Sequence, residues 1–139
     1  METKEYLEQV KQLDAEIRFR EDEIIVLRGR AEGITSAQND RTKVKSSRAE
    51  DRLDAVLDLL DRQIAAQREA VCRLNEKIVE ISDEITKLDN LDEVMCLTYR
   101  FIRLLPWKDV SETMGISERH LQRICARGVA HLDELRSKI

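Results

Sequence analysis

One proline and four glycines in 139 residues leave few points at which a helix is forced to stop. Aromatic residues are only 4% of the chain, too few to fill a thick core, so any compact core is small and the remainder is bundle or coiled coil. Cys72, Cys96 and Cys125 are widely spaced, form no CxxC pair and have no histidine cluster beside them, which argues against zinc and suits a reduced, cytoplasmic chain. Nowhere do about 18 apolar residues run consecutively, so no membrane-spanning helix is expected. The opening METKEYLEQVKQL has no apolar run of the kind a signal peptide needs. Paired catalytic carboxylates, a phosphate-cradling glycine loop and a nucleophile elbow are also absent, so neither enzymatic activity nor a cofactor is expected.

What the chain does contain is charged and hydrophobic residues, 37% and 42% respectively, a mixture that suits long helices with one apolar stripe. The formal net charge of -4 is unevenly spread. Residues 90–139 hold eight basic and seven acidic side chains, whereas residues 1–89 hold sixteen and twenty-one. An acidic chain can still bind DNA if its cations gather on one face.

Two long segments carry a seven-residue repeat. In residues 3–32, Val10, Ile17, Ile24 and Ala31 form one row, and Tyr6, Leu13, Leu27 and Ile34 the other, broken by Arg20. Arg20 is expected to snorkel to water, with pairing to a glutamate or a register-fixing role as the alternatives. In residues 50–89, Leu57, Ile64, Val71, Ile78 and Ile85 form one row, and Leu53, Leu60, Leu74, Ile81 and Leu88 its companion, interrupted by Gln67. Such repeats favour an antiparallel coiled-coil hairpin occupying residues 1–89, whose open flanks invite a second copy of the chain; parallel pairing between chains is the rival geometry. Between the two segments, residues 33–49 read as a loop. Gly33 stands where a C-cap glycine would, and Ser, Thr, Asn and Asp follow. This loop is basic, with Arg41, Lys43, Lys45 and Arg48 against Asp40, and reads either as a solvated connector or as a phosphate- or partner-docking segment.

Residues 90–139 form a second unit. Asn90 is placed to cap a helix over LDEVMCLTYRFIRLL, whose packed side holds Leu91, Val94, Met95, Thr98, Tyr99 and Ile102 and which Pro106 ends. The next stretch fits a helix-turn-helix. Gly115 supplies the positive φ that the turn needs, and Ser111, four residues earlier, is small where two helices approach. Val110, Met114, Ile116, Leu121 and Ile124 occupy the inward offsets, and Trp107 would cap the small core. Agreement at all seven motif positions arises by chance roughly once in a few hundred start points.

Ser117 would cap the second motif helix, which leaves Glu118, Arg119, His120, Gln122 and Arg123 outward or flanking; Arg119, Arg123 and Arg127 fall on one ridge. Arginine and glutamine suit bidentate contact with guanine and adenine edges, and a glutamate can accept from cytosine. Arg119, Gln122 and Arg123 are therefore the expected base contacts, and Lys108 and Arg127 the expected phosphate contacts. For each of these, the competing reading is a solvated charge. His120 and His131 are read as surface or packing residues, and Cys125 as core filler.

The run LTYRFIRLLPWKDVSETMGISERHLQRICARGVAHLDEL resembles region 4 of bacterial sigma-70-type factors in Tyr99, Trp107, Val110, Met114 to Ser117, Leu121, Arg123, Ile124, Ala130 and Leu132. With the heptad front and the KVKSS segment, the whole chain is similar to small phage-encoded regulators of the ArpU and RinA type. Two positions depart from the sigma pattern: Ser111 stands where alanine is usual, and Gly128 interrupts the helix that should run on. The resemblance implies promoter DNA as target and RNA polymerase as a protein partner. Residues 1–90 contain only Tyr6 and Phe19 as aromatics, against the aromatic-rich domain with which a complete sigma factor melts DNA. The expectation is therefore an all-α, dimeric, sequence-specific transcriptional regulator from a phage or mobile element. A small-terminase-like packaging adaptor and a coiled-coil interaction module are the alternatives.

Overall fold

The 41 residues from Ser46 to Thr86 contain neither proline nor glycine, and in the computed structural model, which describes residues 1–39 and 46–138, they form one continuous helix, α2 (Ser46–Thr86). It follows α1 (Thr3–Asn39) and precedes α3 (Leu91–Leu97), one widened π-helical turn (Thr98–Ile102), α4 (Trp107–Met114) and α5 (Glu118–Ser137). All regular structure among the described residues is helical: the chain is an all-α protein, a long antiparallel helical hairpin followed by a helix-turn-helix. No helix among the described residues is long and apolar enough to cross a membrane.

The expected loop over 33–49 is helical at both of its ends. Helix α1 runs through Gly33 to Asn39, and α2 starts at Ser46. A lone glycine weakens a helix by about 1 kcal/mol without ending it. Thr35 folds its hydroxyl back onto the Ala31 carbonyl at 3.0 Å, so the bonding capacity that suggested a loop is spent along the helix. Arg41, Lys43, Lys45 and Asp40 lie outside the described residues; Arg48 is exposed on α2.

The described chain divides into two compact units. One comprises Ala15–Cys72. There Ile24 and Leu27 of α1 and Ala70 of α2 are buried. Arg20 does not snorkel to water: its Nη1 donates to Gln63 Oε1 at 2.9 Å and its Nη2 lies 3.8 Å from Glu16, so the break in the Tyr6–Leu13–Leu27–Ile34 row is matched by a polar partner on the second helix. Leu57 and Val71, expected inward, are 40% and 38% exposed.

The other unit comprises Met1–Asp14 and Arg73–Ile139, so the expected boundary at residues 89 and 90 falls inside it. A single core joins Tyr6, Leu7 and Val10 of α1, Ile81 and Ile85 of α2, Leu88 just beyond it, and Cys96, Leu97, Val110, Leu121, Ile124 and Leu132 of the C-terminal helices. Each fully buried aliphatic side chain contributes about 1.5–3 kcal/mol. A polar clasp closes the α1–α5 contact: Thr3 donates to Asp133 at 2.7 Å, Arg136 donates to Thr3 at 3.1 Å, and the Arg136 guanidinium sits 4.1 Å above the Tyr6 ring. Burial, with the Glu80 and Glu84 carboxylates, pushes the Tyr6 hydroxyl up to about 12. Leu91, expected on the packed side of α3, is 69% exposed because it occupies the first turn beyond the core.

A candidate nucleic-acid interface

The two helices of the motif are set by local chemistry. Asn90 caps α3, its side chain accepting from the Glu93 backbone N–H at 3.2 Å. The π-helical turn then re-aims the chain, and Leu104 takes a positive φ of 56°. The α-helical part of the expected LDEVMCLTYRFIRLL helix thus ends at Leu97, well before Pro106. Arg100 clamps this bend: its Nη1 donates to the Leu105 carbonyl at 2.7 Å and its guanidinium stacks 4.3 Å from the Trp107 ring. Pro106 opens α4, where its fixed φ and missing N–H cost nothing.

Helix α4 ends at Gly115, in the left-handed region at φ 68° and ψ 29°, with its N–H on the Ser111 carbonyl at 2.9 Å. Ser111 is more than a small residue. Its hydroxyl crosses the turn and donates to the Ile116 carbonyl at 2.6 Å, a bond the usual alanine has no group to make. Ser117 caps α5, accepting from the His120 N–H at 3.3 Å. Val110, Leu121 and Ile124 are buried at the contact of α4 and α5, with Trp107, Met114 and Ile116 packed against them.

Helix α5 does not break at Gly128. A Cβ there would lie 3.1 Å from Leu97 Cδ1 and 3.3 Å from Glu93 Cβ, so the missing side chain is what lets α3 and α5 meet. One turn on, His131 Nδ1 lies 2.7 Å from the Glu93 carboxylate, which is only 2% exposed. This hydrogen bond and the Glu93 charge raise the His131 pKa; desolvation and Arg127 oppose the shift, and Glu134 adds to it.

On the outer side of α4 and α5, Lys108, Ser117, Glu118, Arg119, His120, Gln122, Arg123 and Arg127 are all exposed. Arg119, Arg123 and Arg127 recur every fourth residue and so line one edge of α5. Among the described residues, none of these three, nor Lys108, has an ion-pair partner. Asp109, Glu112 and Glu118 are also exposed on these two helices, so the face is modestly cationic. Its chemistry is that of hydrogen-bond donors on a convex helical ridge. No three His, Cys, Asp or Glu side chains among the described residues converge as metal ligands.

The contacts that sequence reasoning missed join residues far apart in the chain: Glu93 with His131, Thr3 with Asp133 and Arg136, and Cys96 with the Leu121 carbonyl. No spacing rule reaches across such separations. The Arg100 clamp is local, but nothing in the residue pattern marks the π-helical turn that creates it. No family model matches the sequence, and neither curated proteins nor solved structures give a match.

Proposed function

We propose that this protein is a sequence-specific DNA-binding transcriptional regulator that lays α5 in the major groove of duplex DNA. The observation that carries the reading is the row Arg119, Arg123 and Arg127, exposed and without a carboxylate partner among the described residues, on a helix whose opposite side holds buried Leu121, Ile124 and Leu132, directly after a left-handed glycine turn. A 20-residue helix is about 30 Å long, and the major groove, about 12 Å wide, admits it. Arg119, Gln122 and Arg123 contact base edges, with Glu118 and His120 beside them. Lys108 and Arg127 contact phosphates, and Ser117 holds the N-terminal turn in shape. RNA polymerase is the protein partner implied by the sigma-like residues.

The hairpin serves as the dimerisation element in this reading. Phe19, Ile25, Val26 and Leu57 are large apolar residues exposed at 55%, 66%, 48% and 40%, more than one isolated hairpin has use for. A symmetric dimer presents two α5 helices and selects paired half-sites.

Selection of bound duplexes from a random pool, at low salt and beside a solution mass measurement, tests the proposal. It expects enrichment of a repeated half-site and a dimeric mass. Affinity falls with salt by about 0.9 in log K per unit of log salt for each phosphate neutralised. An unenriched pool at low salt contradicts it.

A further inference from the structure

His131 lies four residues beyond Arg127, at the spacing that separates Arg119, Arg123 and Arg127 from one another. It is the next position of the exposed row, about 18 Å along the axis of α5 from Arg119. Each step of four residues also turns the row by about 40° around that axis. The row therefore leaves the outermost side of α5 and reaches its flank at His131, where the ring meets Glu93 of α3. A helix lying in a groove turns its outermost side to the base edges and its flanks to the phosphate walls.

The contact with Glu93 assigns the two ring nitrogens. Nδ1 lies 2.7 Å from one carboxylate oxygen and 3.0 Å from the other. A carboxylate only accepts, so Nδ1 carries a hydrogen whether the ring is neutral or charged, and the second proton belongs to Nε2. Glu93 is 2% exposed, whereas the His131 side chain is 51% exposed and its Nε2 has no hydrogen-bond partner among the described residues. Neutral, Nε2 offers a lone pair that a phosphate oxygen repels; protonated, it offers an N–H and a positive charge. The charged groups acting on the ring are Glu93 from α3, and Glu134 and Arg127 on α5 itself. The Glu93 hydrogen bond and then its charge, with Glu134, keep the proton in place to higher pH than on an ordinary imidazole; desolvation and Arg127 oppose this.

We propose that His131 is a proton-gated phosphate contact, the fourth cation of the α5 row, with the buried Glu93 as its positioning residue. This role rests on the DNA reading, to which it adds a dependence on pH. A phosphate beside Nε2 favours the charged ring, so DNA binding and protonation of His131 strengthen each other. As pH rises the proton is lost and affinity falls. A phosphate contact carries no base information, so its loss weakens all sequences alike.

Full-length wild-type, His131→Asn and His131→Lys proteins are compared for affinity to the duplex that the wild-type protein selects, between about pH 6 and pH 9, with circular dichroism at each pH to confirm folding. Asparagine keeps a donor where Nδ1 stands and has nothing where Nε2 stands; lysine keeps its charge across this range. Wild-type affinity is expected to exceed that of His131→Asn several-fold at the acid end and to converge on it at the alkaline end. At the acid end the salt slope of His131→Asn is smaller by about 0.9 per protomer, the share of one phosphate, and its selected sequence is unchanged. His131→Lys keeps the high affinity throughout. His120, the chain's other histidine, is present in all three proteins, so its contribution cancels. Parallel affinity profiles and equal salt slopes for folded wild-type and His131→Asn overturn the role of His131 and leave the DNA reading standing. So does a folded His131→Lys protein that binds no better than His131→Asn. A folded wild-type protein that binds no duplex at any pH removes both.

Discussion

Gly128 and Gly33 both lie inside helices, yet adding a methyl group to each has opposite expected outcomes, because only Gly128 has neighbours in the way. At Gly33 nothing lies within 4 Å, so Gly33→Ala gains up to about 1 kcal/mol of helix propensity. At Gly128 the new Cβ meets Leu97 at 3.1 Å, and Leu97 is 0% exposed and has no room to retreat. Overpacking of about 1–3 kcal/mol outweighs the propensity gain, and Gly128→Ala lowers the urea midpoint. A higher midpoint for Gly128→Ala contradicts the close contact of α3 and α5. The Glu93–His131 pair gives a pH signature at the same contact. The folded-state pKa of His131 is raised, so its contribution is fully present below the unfolded imidazole pKa of about 6.5 and is lost as pH rises through the folded value. Between pH 6 and pH 9 the wild-type chain loses stability relative to His131→Asn; parallel profiles for the two sink the assignment.

At the scale of the element, legibility follows chain distance. Asn90, Gly115 and Ser117 were readable as cap, turn and cap because each acts within three or four residues of itself. The seven-residue rows located both long helices, and the C-terminal pattern placed Val110, Leu121 and Ile124 inside. Leu57 and Val71 were misjudged, because an apolar row does not say which of its positions the partner helix covers. Gly33 misled because a helix with enough good formers on both sides absorbs one glycine. Ser111 and Gly128 looked like departures from a family pattern and prove to be fitted to their neighbours, one bonding across the turn and one admitting α3. The turn itself is testable: Gly115 sits at φ 68°, where a Cβ costs about 1–2 kcal/mol. Gly115→Ala is expected to lower the melting temperature while leaving the helical circular dichroism of the folded state unchanged; an undiminished melting temperature argues against the left-handed turn.

Taken as a whole, the molecule does not carry its helix-turn-helix as a detachable head. Tyr6, Leu7 and Val10, at the start of the chain, share one core with Leu121, Ile124 and Leu132 near its end. The sequence pattern divided the chain at its acidic break near residue 90, because a change of periodicity is visible in a sequence and a contact across more than a hundred residues is not. Deleting residues 1–14 removes those three buried side chains and the Thr3 clasp, a loss of about 5 kcal/mol or more, comparable to the whole stability of many domains. The truncated chain is expected to lose the cooperative melting of the C-terminal helices; retention of the full-length melting temperature would show that the shared core contributes little. Most direct for the central claim is the affinity of Arg119→Ala/Arg123→Ala for the duplex that the wild-type protein selects, read beside its melting temperature. Both side chains are exposed, so folding should be unaffected, while binding weakens by about 1–3 kcal/mol for each base-contacting arginine. Unchanged affinity in a folded double variant would mean that α5 does not read DNA.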